Sequence, residues 1–189
     1  MTSRDVLDPP LERMTLPIGA PAPAFEGLLG VDGRRHGFSS FANQGVLVLI
    51  FSSNRCPTAK AYGPRMNAFQ REYGPRGVQL VALNSNDPHL YPDESLPRMV
   101  DRAAADRYTF PYVVDDGQRV ARAYGAICTF HVFVLDSQRR VRYEGRFDDS
   151  RIAANVTTSD LANAIDDLLA GRDVRVARTQ PFGCSLDFV

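Results

Sequence analysis

The sequence has no tryptophan, a single lysine (Lys60) and only three cysteines, Cys56, Cys128 and Cys184, in 189 residues. Three is an odd number and few for this length, which argues against the disulfide scaffold that holds small secreted proteins together. An excess charge of one sign is also missing: 22 Lys plus Arg balance 22 Asp plus Glu. That balance offers no electrostatic ground for a nucleic-acid or anionic-membrane partner. Long apolar runs are absent as well. The longest, residues 46–51, is far too short to cross a bilayer, and residues 1–10 lack the apolar stretch of a secretory signal. The expected compartment is a reducing cytoplasm, where cysteine serves packing or chemistry rather than structural cross-linking.

What is present suits one globular domain: 44% hydrophobic and 23% charged residues. Prolines 9, 10, 17, 21 and 23 mark an irregular opening. Residues 1–15 are read as an arm, 16–171 as the domain and 172–189 as a tail without periodicity. Residues 25–41 predict a hairpin turning at Val31-Asp32-Gly33-Arg34. Val46-Leu47-Val48-Leu49-Ile50-Phe51 has the continuous apolar character of a strand buried on both faces.

Pro57 suits the first position of a helix, and Tyr62, Met66, Phe69 and Tyr73 then share one helical face. Gly63-Pro64 predicts a kink or a broken first turn in it. A strand over 78–83 completes a β-α-β unit. Beyond it come a polar loop (84–92), a helix (95–106), a short strand (111–115), a short helix (117–124), a strand pair (131–136 and 141–147) and a helix (159–170). Ser159 is the expected cap of the last helix and Gly171 its stop.

The chemistry concentrates where the buried strand hands over to the first helix. A thiol at Cys56 would face free backbone N–H groups and the positive end of the helix dipole, which favour thiolate over thiol. Arg55 and Lys60 stand nearby in sequence to reinforce this. The bland reading is a buried, inert cysteine packed as a small apolar residue.

Several segments together resemble the thioredoxin superfamily, specifically its redoxin branch (alkyl hydroperoxide reductase and thiol-specific antioxidant-like proteins). They are Asn54-Arg55-Cys56-Pro57 with Ala59-Lys60-Ala61-Tyr62; Asn84-Ser85-Asn86-Asp87 with Tyr91-Pro92-Asp93; residues 120–126; Tyr143-Glu144-Gly145-Arg146-Phe147-Asp148-Asp149; and Pro181-Phe182-Gly183-Cys184-Ser185. The resemblance implies an α/β thioredoxin-like fold, a central mixed β-sheet flanked by helices. It also implies a thiol oxidoreductase acting on a disulfide protein or a hydroperoxide, with an external thiol reductant and no bound cofactor or metal.

This chain departs from that pattern twice. Ser53 stands where many relatives carry the first cysteine of C-x-x-C, so the motif looks like the T-x-x-C-P-T of peroxiredoxins. By that likeness Ser53 and Thr58 position Cys56 as nucleophile. Phe130 stands where thioredoxins place a cis-proline and peroxiredoxins tend to place an activating arginine. A cis bond before Phe is costly, so a trans bond is expected. Arg55 and Arg146 are the substitutes considered for the arginine. Cys128 is expected to approach Cys56 as its resolving partner. Cys184 is open between a free tail thiol, a partner of Cys56 and a link between chains.

Three readings follow: a thiol oxidoreductase using Cys56, Ser53, Thr58 and Cys128; a non-catalytic redox sensor or binding module, with Phe130 filling the substrate groove; and a metal site of Cys56, Cys128 and His131, which no ligand spacing supports. The acidic loop of Asp87, Asp93 and Glu94 is read as capping and solvated charge. Asp148-Asp149 and Asp166-Asp167 are read as turn and helix-surface charges.

Overall fold

A computed structural model describes residues 16–188 of the protein. The arm expected over 1–15 lies outside the described residues. Gly33 (φ 74°) lets the chain reverse tightly, so that β1 (Leu28–Leu29) and β2 (Arg35–His36) pair antiparallel around the expected turn. The apolar run becomes β3 (Val46–Ser52), buried at every position. Because side chains alternate along a strand, Val46, Val48 and Ile50 enter one core, while Leu47, Leu49 and Phe51 enter another.

Helix α1 (Pro57–Tyr73) follows, with Pro57 in its first turn. The broken turn expected as one alternative at Gly63-Pro64 does not occur, and the helix runs through. Proline removes the bond to the carbonyl four residues earlier, that of Lys60. Both Pro64 and Lys60 are exposed, so water can satisfy what the proline leaves. The chain continues through β4 (Val78–Asn84), α2 (Leu96–Ala105), β5 (Tyr112–Val114), α3 (Arg119–Tyr124), β6 (Val132–Leu135), β7 (Val141–Gly145) and α4 (Asp160–Leu169).

The main sheet has the order β5-β4-β3-β6-β7. β3 is parallel to β4 and antiparallel to β6, β4 is parallel to β5, and β6 is antiparallel to β7, so the sheet is mixed. Tyr62, Met66, Phe69, Met99, Leu161 and Ile165 place α1, α2 and α4 against one core. Val120, Ala121 and Tyr124 of α3 close the other, with Phe25 and Phe41. Helices therefore cover both faces.

Each outer strand meets a further segment of the chain. Val31 donates its N–H to Tyr112 of β5 at 2.9 Å, beside a bridge between Gly30 and Val113. On β7, Val141 donates to Ala20 and Glu144 to Ala177, each at 3.0 Å, and Thr179 donates to Glu144 at 3.1 Å. No helix among the described residues is long and apolar enough to cross a membrane.

Candidate active site

The register between β3 and β4 pairs Ser52 with Asn84, so both strands end at the same edge of the sheet. The loops that leave them therefore meet. Ser53-Asn54-Arg55-Cys56 leaves β3, and residues 85–95 leave β4. Between them opens a cavity of about 310 Å³ lined by Ser53, Arg55, Cys56, Asn86, Tyr91, Glu94, Thr129, Cys184 and Asp187, among others.

Cys56 is the N-cap residue of α1, in extended conformation (φ −61°, ψ 121°). Only 3% of it is exposed. Burial alone would raise its pKa. The neighbouring Cys184 thiol and the N–H groups of Ala59, Cys184 and Thr58 outweigh that, and the net pKa lies below the ordinary thiol value.

Glu94 organises the loop ahead of Cys56. Its carboxylate accepts the Ser53 hydroxyl at 2.5 Å, the Asn54 N–H at 2.7 Å, the Arg55 N–H at 3.1 Å and the Asn84 side-chain amide at 2.9 Å. Ser53 Oγ in turn accepts the N–H groups of Arg55 and Cys56, each at 3.0 Å. From behind, Arg102 donates to the carbonyls of Ser53 and Asn54 at 3.0 Å, and the Tyr112 hydroxyl donates to Asn54 Oδ1 at 3.0 Å.

Of the residues anticipated from sequence, Cys56 and Ser53 line the cavity together. Ser53 holds the backbone of the cysteine loop through its hydroxyl. Thr58 is buried one step into α1 and reaches Cys56 through its backbone N–H. Cys128 is buried outside the cavity lining, its backbone bridged to Ser185. The thiol that stands against Cys56 is that of Cys184.

Two expectations are corrected. Glu94 is not a solvated loop charge: it is 4% exposed and holds the loop. Phe130 does not fill the groove. It has a trans bond and φ of 74°, which turns its ring inward to stack on Tyr62 with centroids 4.2 Å apart. Thr129 faces the cavity instead. His131 is fully buried, with its ring against Phe133 (centroids 4.4 Å apart) and its Nε2 facing Glu144, and it does not line the cavity.

Glu94 and Arg102 were missed as site residues because their contacts with the cysteine loop span some forty residues of chain, which no local spacing announces. The only hint was that two parallel strands must end together.

The fold is thioredoxin-like. Residues 17–165 match the redoxin family, and the chain belongs to it. A hypothetical protein from Sinorhizobium meliloti 1021 is 36% identical, with a TM-score of 0.86 over 93% of this chain and 96% of its own. The thioredoxin domain of a thiol-disulfide oxidoreductase from Bacteroides vulgatus shares the fold at 15% identity, with a TM-score of 0.64 over 82% of this chain and 99% of its own. Among curated proteins, the thiol-disulfide oxidoreductase ResA of Geobacillus thermodenitrificans (strain NG80-2) is 28% identical over 69% of this chain and 70% of its own length.

Proposed function

We propose that this protein is a thiol-disulfide oxidoreductase in which Cys56 is the nucleophile. The observation that carries this reading is the setting of Cys56: a buried sulfur at the head of a long helix, at the wall of an open cavity, with donors that favour its anion. The thiolate is the form that attacks a disulfide sulfur. Attack on R–S–S–R′ joins Cys56 to R and releases R′ as thiolate.

The disulfide is preferred to a hydroperoxide because Arg55, Arg102 and Arg146 already have partners. Arg55 stacks on Tyr91 at 4.3 Å, Arg102 holds the loop carbonyls, and Arg146 pairs with Asp160 at 2.7 Å. Arg55 lines the cavity, but its guanidinium is taken up by the Tyr91 ring. The names of the ResA relatives point the same way. A protein disulfide is the proposed substrate class, an external thiol the reductant and a reducing cytoplasm the setting.

Alkylation of the reduced full-length chain across pH tests the reading, with the labelled cysteine identified by peptide mapping. Cys56 is expected to react ahead of an unperturbed thiol near neutral pH, and to reduce a model disulfide faster than hydrogen peroxide. Reactivity no greater than that of a free thiol overturns the proposal.

A further inference from the structure

Beyond α4 the chain has no periodicity, yet residues 183–187 lie across the cavity mouth. Gly183 passes so close to the loop before β6 that a Cβ there would sit 1.8 Å from the Thr129 carbonyl oxygen. The Thr129 N–H donates to the Cys184 carbonyl at 2.7 Å, and Cys128 and Ser185 form an antiparallel bridge. Leu186 is buried. Asp187 accepts the Tyr91 hydroxyl at 2.5 Å on its carboxylate and the Gln118 amide at 2.7 Å on its carbonyl. Cys184 is thus fixed from both sides, with its side chain exposed at the cavity next to Cys56.

We propose that Cys184 is the resolving thiol of Cys56, closing an intramolecular disulfide between α1 and the C-terminal strap. The proposal rests on Cys56 being the nucleophile. After attack, Cys56 is held as a mixed disulfide, Cys56–S–S–R. The Cys184 sulfur attacks Cys56 Sγ, the bond to R breaks, and the Cys184 proton passes to the departing sulfur as R–SH. The substrate has gained two electrons, and the two cysteines have lost them. An external dithiol then reduces the Cys56–Cys184 bond and leaves as its own disulfide.

The electrostatics order these steps. Burial, the Cys56 hydrogen bond and the Cys56 charge push the Cys184 thiol up to about 12, with Arg151 working the other way. Of the two thiols, therefore, Cys56 ionises first and Cys184 keeps its proton longer. Once Cys56 is tied into the mixed disulfide, its charge is gone and two of those three causes disappear. The second thiol becomes easier to ionise at the stage when it is needed.

The test uses the reduced full-length chain and an aromatic disulfide, dithiobis-nitrobenzoate, whose thiolate is coloured. In wild type, the first attack releases one equivalent and closure by Cys184 releases a second, leaving no adduct on Cys56. Non-reducing peptide maps should show Cys56 joined to Cys184 within one chain. In Cys184→Ser, the adduct should persist on Cys56. A wild-type chain that retains the adduct on Cys56 as Cys184→Ser does overturns this proposal and leaves the nucleophile intact. A bond from Cys56 to Cys128, or to a second chain, overturns it as well. A Cys56 that never reacts in either protein overturns the underlying reading instead.

Discussion

Ser53 and Glu94 share a hydrogen bond of 2.5 Å across 41 residues of sequence, and through it the head of α1 is tied to the loop after β4. The position where a dithiol motif would carry its first sulfur is occupied by a hydroxyl that donates to a buried carboxylate and accepts two backbone N–H groups. Glu94→Ala leaves the N–H of Asn54 and the hydroxyl of Ser53 buried without their acceptor. Such a loss costs about 1–3 kcal/mol per group. Urea unfolding should show a lower midpoint, and Glu94→Gln, which keeps one carbonyl oxygen, should lose less.

Cys56 should ionise at a lower pH than an ordinary thiol. Because its pKa is lowered, the reactive anion persists as pH falls to values at which a free cysteine is already protonated. The alkylation rate against pH should therefore reach its plateau early. Cys184→Ala removes the largest favourable contribution, so the same curve should move toward alkaline pH. An unmoved curve would mean that Cys184 does not act on Cys56.

Gly183→Ala probes the strap without touching a thiol. The added methyl collides with backbone, the Thr129 carbonyl, which cannot rotate away. The strap should lift, Cys56 should show the same alkaline displacement as in Cys184→Ala, and cross-linking to Cys184 should slow. The unfolding midpoint should fall too, because Leu186 of the strap belongs to one core and Phe182, just ahead of it, packs against the other.

Phe130→Pro would install the residue common in the wider superfamily, and it should destabilise the protein. The Phe130 N–H donates to the Phe51 carbonyl at 2.5 Å, and φ is 74°. Proline has no N–H and holds φ near about −65°. Phe130→Ala keeps the N–H but loses the stacking on Tyr62, at about 3–5 kcal/mol for a buried phenylalanine. Thermal unfolding of both variants measures these losses.

Glu144 and His131 lie fully buried 3.5 Å apart, and the Glu144 oxygens have no hydrogen-bond partner. Burial raises the Glu144 pKa from 4.5 to about 7, with Arg178 opposing. Between those values the folded chain binds more protons than the unfolded one, so this contribution to stability is lost as pH rises toward 7. His131 has the opposite sign: burial lowers it to about 3, so stability is lost as pH falls below 6.5. Glu144→Gln removes only the first effect. Its stability relative to wild type should grow between pH 4.5 and 7, on the order of 2–3 kcal/mol. Urea unfolding at several pH values measures this directly.

The element order was legible because its signals are local. The apolar, β-branched-rich run from Val46 to Phe51 reads as a strand buried on both faces, and Pro57 could open a helix behind Cys56. The helix through Pro64 was misread because proline's cost depends on whether the orphaned carbonyl meets water, which a sequence does not state. Of the candidate site, Cys56 was legible from its place between a buried strand and a helix, and Ser53 from the family resemblance. Glu94 was not, and Cys184 was left open among three roles, since each reaches the site from a distant part of the chain. The strap is held by single bridges and side-chain bonds rather than a regular ladder, so it leaves no periodicity to find. Phe130 was misplaced because its inward turn depends on a left-handed backbone conformation that composition does not reveal.

The segments that lie along β5 and β7 bear on how this protein behaves in a crowded solution. An open strand edge is a template for aggregation, because its row of N–H and C=O groups invites another chain. Here, residues 30–31 contribute hydrogen bonds at one edge, and 19–20 with 177–179 at the other. None of these bonds involves residues 183–187. The cover on both sheet edges is therefore independent of the strap over the cavity, so a substitution that loosens the strap leaves those edges closed to intermolecular β-structure.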